Sequence, residues 1–111
     1  MNRFDKERIT PFFRKWELVN EQIKVYYSVR DPEAVVLMEE AIQNYSALLE
    51  YGGKEVNERN GKSEHVLLPL NGEERFEFVK ERINSHYAYV QLDALYTEIR
   101  KKAARLSVTN K

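Results

Sequence analysis

The sequence contains no cysteine, only four glycines and three prolines, and no excess of charge of either sign. The lack of cysteine excludes disulfides, thiolate metal sites and cysteine nucleophiles. With 42% hydrophobic and 12% aromatic residues the chain is not disordered, and its few glycines and prolines favour helices over a turn-rich β fold. Eighteen basic and eighteen acidic residues cancel, so neither a dedicated nucleic-acid coat nor a polybasic membrane anchor is expected.

Long apolar runs are also missing. The N-terminal stretch MNRFDKERIT lacks the apolar segment of a secretory signal, and no stretch approaches the roughly 18 apolar residues that a membrane span needs. We therefore expect a soluble cytoplasmic protein that does not contact a membrane. At 111 residues the chain is long enough for one domain with one core, so we predict a single helical domain over residues 1–111.

The longest uninterrupted helical pattern lies between Asn84 and Leu106. Its apolar residues recur at steps of three and four, which places them on one stripe of a helix: Tyr89, Leu92, Leu95, Tyr96, Ile99, Ala103 and Leu106. A stripe of this kind has to pack against other elements. The pattern therefore predicts a C-terminal helix, helix 4, that forms the centre of a small bundle.

Two amphipathic segments near the N-terminus supply packing partners. Thr10-Pro11 predicts the start of helix 1, because proline is well suited to the first position of a helix. Asp31-Pro32 repeats this signal, so helix 1 should end near Val29 or Arg30 and helix 2 should follow as an antiparallel neighbour, ending at Gly52-Gly53. The predicted buried stripes are Phe12, Phe13, Trp16, Val19, Ile23, Tyr26 and Tyr27 in helix 1, and Val35, Met38, Ala41, Ile42, Tyr45, Leu48 and Leu49 in helix 2.

No periodicity holds between Gly52 and Leu70, which predicts a long irregular connection; a β-hairpin turning at Asn60-Gly61 is the alternative. Asn71 followed by Glu74 resembles a capping box and predicts a short helix 3, which should reach about Ile83 and bury Phe76, Val79 and Ile83. Asn84 or Ser85 then caps helix 4. The sequence as a whole predicts an all-α, four-helix bundle-like domain with a short third helix.

The C-terminal half resembles a known family. The positions that carry the resemblance are Pro69, Asn71, Glu74-Arg75, Phe78, His86 with Tyr87, Gln91-Leu92, Leu95 and Glu98, preceded by LLEYGGKEV at the end of helix 2. Over roughly residues 48–102 this pattern is similar to the YpoC-like domain of Bacillus-type bacteria. The resemblance implies a helical domain without an established activity, linked to DNA replication and repair only because its genes lie near such genes.

The first candidate set is the motif that carries this resemblance, namely Pro69, Asn71, Glu74, Arg75, His86, Gln91 and Glu98. We interpret Arg75 as a structural residue whose planar guanidinium bridges helices 3 and 4 through Glu98; a ligand-facing arginine is the alternative. The two histidines, His65 and His86, lie too far apart for a helix-borne metal pair. Since no catalytic, metal or cofactor signature is present, we expect no enzyme activity and no cofactor.

The second candidate set is an interaction surface made of Tyr26, Tyr87, Arg100, Lys101, Lys102 and Arg105. Exposed aromatic residues beside basic ones are typical of protein interfaces, although they can also stack single-stranded bases. The basic run at the end of helix 4 either complements the helix dipole or contacts phosphates. We therefore predict a non-enzymatic protein–protein interaction or accessory module; the alternatives are weak nucleic-acid binding linked to DNA replication or repair, and binding of a small molecule in the bundle.

Overall fold

The structure is a computed structural model that describes residues 2–109. In chain order its elements are α1 (Lys6–Ser28), α2 (Glu33–Gly52), β1 (Lys54–Val56), β2 (Ser63–His65), α3 (Gly72–Glu81) and α4 (His86–Thr109). Helix α1 packs against α2 and α4, and α3 packs against α4. This arrangement confirms the predicted all-α, four-helix domain with a short third helix.

The turn between α1 and α2 is as tight as the Asp31-Pro32 signal predicts. Arg30 takes the left-handed conformation, with φ of 58°, and this reverses the chain direction. The backbone N–H of Asp31 donates to the carbonyl of Tyr26 at 2.8 Å, and its carboxylate accepts the N–H of Glu33 at 2.9 Å. Asp31 therefore joins the end of α1 to the start of α2 through hydrogen bonds in both directions along the chain.

The predicted start of helix 1 at Thr10-Pro11 is wrong, since α1 begins at Lys6 and Pro11 lies inside it. An interior proline removes one backbone hydrogen bond and costs roughly 3 kcal/mol. The longer helix brings Phe4 and Ile9 into the core, where both are buried. Burying two such side chains contributes about 1.5–3 kcal/mol each, which offsets the proline.

The segment between α2 and α3 contains a short hairpin, so the prediction of a wholly irregular connection is wrong for residues 54–65. Strands β1 and β2 pair antiparallel in the register Lys54↔His65, Glu55↔Glu64 and Val56↔Ser63. The hairpin that was the alternative therefore forms, but without a type I′ turn at Asn60-Gly61, because such a turn requires positive φ at both residues and only Gly61 has it. The strands lack an alternating pattern because neither has a fully buried face.

The end of this segment is anchored in the core by Leu67, which is completely buried. A Cβ atom at Gly52 would lie 2.8 Å from the Leu67 side chain, so the helix can end here only with a residue that lacks a side chain. Gly53 follows with φ of 77° and ends α2 at the predicted position. The two glycines therefore allow the chain to leave α2 directly over the core.

Helices α3 and α4 differ from the prediction at their ends. Asn71 adopts the left-handed conformation, with φ of 56°, and its side chain caps nothing, so the predicted capping box is not formed. Helix α3 ends at Glu81, two residues before Ile83. At the start of α4 the hydroxyl of Ser85 accepts the backbone N–H of Tyr87 at 3.2 Å, as a capping residue does. Helix α4 continues to Thr109.

The core forms where α1, α2 and α4 meet. Trp16 stacks on Tyr96 with ring centroids 4.6 Å apart, and its indole N–H donates to Asp93 at 3.2 Å. Every apolar residue assigned to a buried stripe in helices 1, 2 and 4 is buried or half-buried. The side chains that are most completely buried are Tyr45, Tyr96, Ile23, Met38, Leu48, Leu67, Leu92, Leu95, Ile99 and Val79.

Candidate functional site

Arg75 is the centre of a polar cluster that joins three parts of the chain. Its two terminal nitrogens donate to the two carboxylate oxygens of Glu98 on α4, at 2.8 and 2.5 Å. Its Nε donates to the side-chain oxygen of Gln91 at 3.1 Å, and one terminal nitrogen also reaches the carbonyl of Leu70 at 3.1 Å. The arginine thus ties α3 to α4 and to the chain that enters α3, with most of its donors occupied.

The electrostatics of the cluster are consistent with this structural interpretation. The hydrogen bond from Arg75 lowers the pKa of the Glu98 carboxyl, although burial opposes this effect, and the same bond raises the pKa of Arg75. Both groups therefore stay charged near neutral pH. Beside them lies the hydroxyl of Tyr45, which is buried and has no hydrogen-bond partner in residues 2–109. Burial raises the pKa of Tyr45 well above its ordinary value, so this hydroxyl stays neutral.

The remaining motif residues do not complete a single site with Arg75. Pro69 is buried in the turn before α3, whereas Glu74 is exposed. His86 lies at the start of α4, where its ring is 6.4 Å from that of Tyr27 and 5.9 Å from that of Tyr89. Twelve residues of helix separate His86 from Glu98, which corresponds to roughly 18 Å. The family motif therefore marks the start of α4 and, separately, the middle of α4 where Arg75 binds.

The predicted interaction surface is also divided. Tyr87 is 71% exposed at the start of α4, and Tyr26 is half-buried on α1. The basic residues lie near the other end of α4, and Arg100 is roughly 20 Å from Tyr87 along the helix. The structure therefore does not bring the tyrosines and the basic residues together into one patch.

Two of the basic residues are engaged within the fold. Arg100 donates to Glu17 on α1 at 2.7 Å and stacks over the ring of Phe13 at 4.8 Å. The ammonium of Lys102 donates to the carbonyl of Leu68 at 3.0 Å. Lys101 and Arg105 are exposed. The basic run thus contacts α1 through Arg100 and the chain before α3 through Lys102.

A groove on the outer side of α1 and α2 was missed by the sequence analysis. We call it the α1–α2 groove; its volume is about 660 Å³, and its lining includes Lys15, Leu18 and Val19 of α1 and Glu40, Gln43 and Ala47 of α2. Steps of three and four residues continue the α1 side from Leu18 through Gln22 to Val25 and Val29. The same steps extend the α2 side from Glu40 back to Val36.

Apolar side chains are exposed in the α1–α2 groove and on the helix faces that extend it. Leu18 is 75% exposed, Val29 65%, Val25 50% and Val36 48%. From the sequence, only the helical spacing of these residues could have revealed the groove, since this spacing places them on a second stripe opposite the buried one. Isolated exposed apolar residues are common, whereas several along one groove are typical of an interaction site.

The part of the chain that the structure describes contains neither a membrane-spanning helix nor a cluster of metal ligands. No helix within residues 2–109 combines the length and the apolarity that crossing a membrane requires. The same residues contain no group of three or more histidine, aspartate or glutamate side chains placed to hold a metal ion.

Together these features define a small, mostly helical domain, closed on one side by the Arg75–Glu98 ion pair and open on the other along the α1–α2 groove. Residues 6–111 match the model of the family described as YpoC-like protein, and the chain therefore belongs to this family. The match covers nearly the whole chain, including α1 and α2, which lie largely outside the motif described above. Searches of the curated proteins and of the solved structures found no match.

Proposed function

We propose that this protein is a non-enzymatic accessory module of the bacterial cytoplasm that binds another protein through the α1–α2 groove. The observation that carries this proposal is the exposure of Leu18, which lines the groove, together with that of Val25, Val29 and Val36 on the helix faces that extend it. Covering these side chains would remove apolar surface from water, at roughly 25 cal/mol per Å². The lining residues of the groove all belong to α1 and α2, so a partner could bind it without displacing α4.

The shape and charge of the groove suit an amphipathic helix of the partner. Two antiparallel helices form its walls, and a third helix can lie between them with apolar residues at i, i+3 or i+4, and i+7. Lys15 lies on one wall and Glu40 on the other. A partner helix with an acidic residue on one edge and a basic residue on the other would match both, although such exposed pairs affect specificity more than affinity.

Weak nucleic-acid binding, with a link to DNA replication or repair, is the less favoured alternative. A single-strand binder combines stacking aromatic residues with cations that follow the backbone. In this fold the exposed Tyr87 and the basic end of α4 are separated, and Arg100 and Lys102 already have partners. These features support a protein partner over a nucleic acid.

The proposal can be tested by affinity capture from the lysate of a bacterium that carries a YpoC-like protein, with and without nuclease. Three baits are compared: the wild type, Leu18→Glu and Leu70→Glu. Leu70 is 81% exposed and precedes α3, away from the groove, so it provides the matched control. We expect a partner that survives nuclease, is retained by Leu70→Glu and is lost with Leu18→Glu.

Two outcomes would contradict the proposal. A partner that binds Leu18→Glu as well as the wild type uses a different surface. If everything captured by the wild type disappears with nuclease, the nucleic-acid alternative becomes the better explanation.

A further inference from the structure

A second concave site lies between the start of α1 and the end of α4. Its volume is about 340 Å³, which falls at the lower end of the range for small-molecule sites. Phe4, Ile9, Phe13 and Ala103 line it with apolar atoms, and all four are largely buried within the fold. We call it the α1–α4 pocket. It opens on a different side of α1 from the α1–α2 groove, since it faces α4 and the groove faces α2.

The rim of the α1–α4 pocket carries three charged groups, Lys6, Glu17 and Arg100. The guanidinium of Arg100 is held in place by Glu17 at 2.7 Å and by the ring of Phe13 below it. Within residues 2–109 the ammonium of Lys6 forms no ion pair. Because Glu17 neutralises only one of the two cations, the rim has a formal charge of +1.

A site with an apolar floor and a positive rim selects a ligand with the complementary pattern. The apolar part of the ligand would cover the floor, while its anionic group lies at the positive rim. The small volume limits the ligand to a compact apolar body, and the single excess positive charge matches a monoanion. A polyphosphate carries too many negative charges for this rim. A long acyl chain is too large for this volume.

We propose that the α1–α4 pocket binds a small organic carboxylate with an aryl or medium-chain alkyl body. The carboxylate lies at the positive rim that carries Lys6 and Arg100, and the apolar body lies against Phe4, Ile9 and Phe13. This site is independent of the proposed protein-binding function. No pattern along the chain joins Lys6 to Arg100, which line one pocket only because the start of α1 packs beside the later turns of α4.

The test is a titration of the whole protein with octanoate and with 4-phenylbutyrate, followed by the amide chemical shifts in two-dimensional NMR. We expect saturable shifts confined to residues 4–17 and 100–107. Octan-1-ol and octylammonium serve as probes with a similar apolar body and without the negative charge, and they should bind at least about tenfold more weakly.

Four variants test the roles of individual residues. Lys6→Gln and Arg100→Gln should each weaken octanoate binding about three- to tenfold, because each removes one cation from the rim. Glu17→Gln should strengthen binding severalfold, because it removes the competing carboxylate. Lys101→Gln is the matched control: Lys101 adjoins Arg100 but does not line the pocket, so binding should not change.

The proposal is wrong if octan-1-ol binds as tightly as octanoate, since the charged rim would then have no role. It is also wrong if Glu17→Gln weakens binding, or if the shifts do not saturate or lie along the α1–α2 groove instead. Leu18→Glu, which removes the proposed protein-binding groove, should leave octanoate binding unchanged, so the two proposals can fail separately.

Discussion

The rings of Tyr45 and Tyr96 meet edge to face in the core, with centroids 5.5 Å apart and planes at 76°. Their hydroxyls are in opposite situations. The hydroxyl of Tyr96 donates to the carbonyl of Ala41 at 2.7 Å and accepts the side-chain N–H of Asn44 at 2.9 Å. The hydroxyl of Tyr45 is buried without a partner in residues 2–109. Two neighbouring tyrosines of one core thus differ in what their oxygen atoms contribute to stability.

This difference predicts opposite results for the same substitution. Tyr96→Phe removes two hydrogen bonds from the core, so the free energy of unfolding should fall by about 1–3 kcal/mol. Tyr45→Phe removes only an unsatisfied polar atom, so the free energy should stay the same or rise slightly. Urea denaturation of the two variants beside the wild type measures both values. Equal losses in the two variants would show that the Tyr45 hydroxyl has a partner.

Gly52 provides a second prediction, about the close contact between the end of α2 and Leu67. A Cβ atom at this position would lie 2.8 Å from two atoms of a completely buried side chain. Gly52→Ala should therefore lower the free energy of unfolding by about 1–3 kcal/mol through overpacking, even though alanine favours helix.

The control for Gly52 is a second substitution at the other side of the contact. In the Leu67→Ala background the space that the new methyl group needs is available, so Gly52→Ala should cost much less there than in the wild type. Thermal or urea denaturation of the four proteins gives the coupling energy. If the cost of Gly52→Ala is the same in both backgrounds, the contact with Leu67 does not determine the requirement for glycine.

Tyr27 predicts a change of stability at alkaline pH. Its hydroxyl donates to the carbonyl of Ile83 at 2.5 Å, and burial raises its pKa from 10.0 to about 12. Because this pKa is raised in the folded state, the contribution of Tyr27 to the free energy of unfolding is complete below pH 10 and is lost as the pH rises towards 12. Wild-type stability should therefore fall over this window, and in Tyr27→Phe the fall should be smaller. Denaturation midpoints at pH 8, 10 and 11 test this, and parallel curves for the two proteins would contradict it.

The helices were predictable from the sequence because their buried residues recur at helical steps. Tyr89 to Leu106 and the stripe from Met38 to Leu49 follow the core closely. The start of α1 was not predictable from local signals, since the start signal at Thr10-Pro11 is overridden by the burial of Phe4 and Ile9. The hairpin was missed because its strands lack a buried face, and alternation is the signal by which strands are recognised.

The candidate sites were likewise predictable only where a pattern along the chain contains them, and not where they depend on how the helices pack. The Arg75–Glu98 bridge could be suggested because both residues belong to the family motif and carry opposite charges. The α1–α2 groove and the α1–α4 pocket depend on which helix faces lie side by side. Leu18 and Val36, or Lys6 and Arg100, are related only through the packing of separate helices, and no pattern along the chain contains that information.

The Arg75–Glu98 ion pair predicts how stability depends on acid. The hydrogen bond from Arg75 lowers the pKa of Glu98 in the folded state below its ordinary value of 4.5. Because this pKa is lowered, the contribution of the Glu98 carboxylate to the free energy of unfolding is complete above about pH 4.5. It is lost as the pH falls through the pKa that Glu98 has in the folded state. Glu98→Gln removes this titration, so its free energy of unfolding should be lower than that of the wild type at pH 7, and the difference should shrink below pH 4.5.

The size of the effect is limited because Glu98 is 42% exposed, so solvent screens the charges and the loss at pH 7 should be about 1 kcal/mol. Arg75→Gln should cost more, about 1–3 kcal/mol, because it also removes the bonds to Gln91 and Leu70. Glu74→Gln is the matched control, since Glu74 is exposed beside Arg75 and outside the ion pair. Urea denaturation at pH 7 and pH 3.5 separates the three variants. A difference between the wild type and Glu98→Gln that is as large at pH 3.5 as at pH 7 would show that the charge of Glu98 is not what joins α3 to α4.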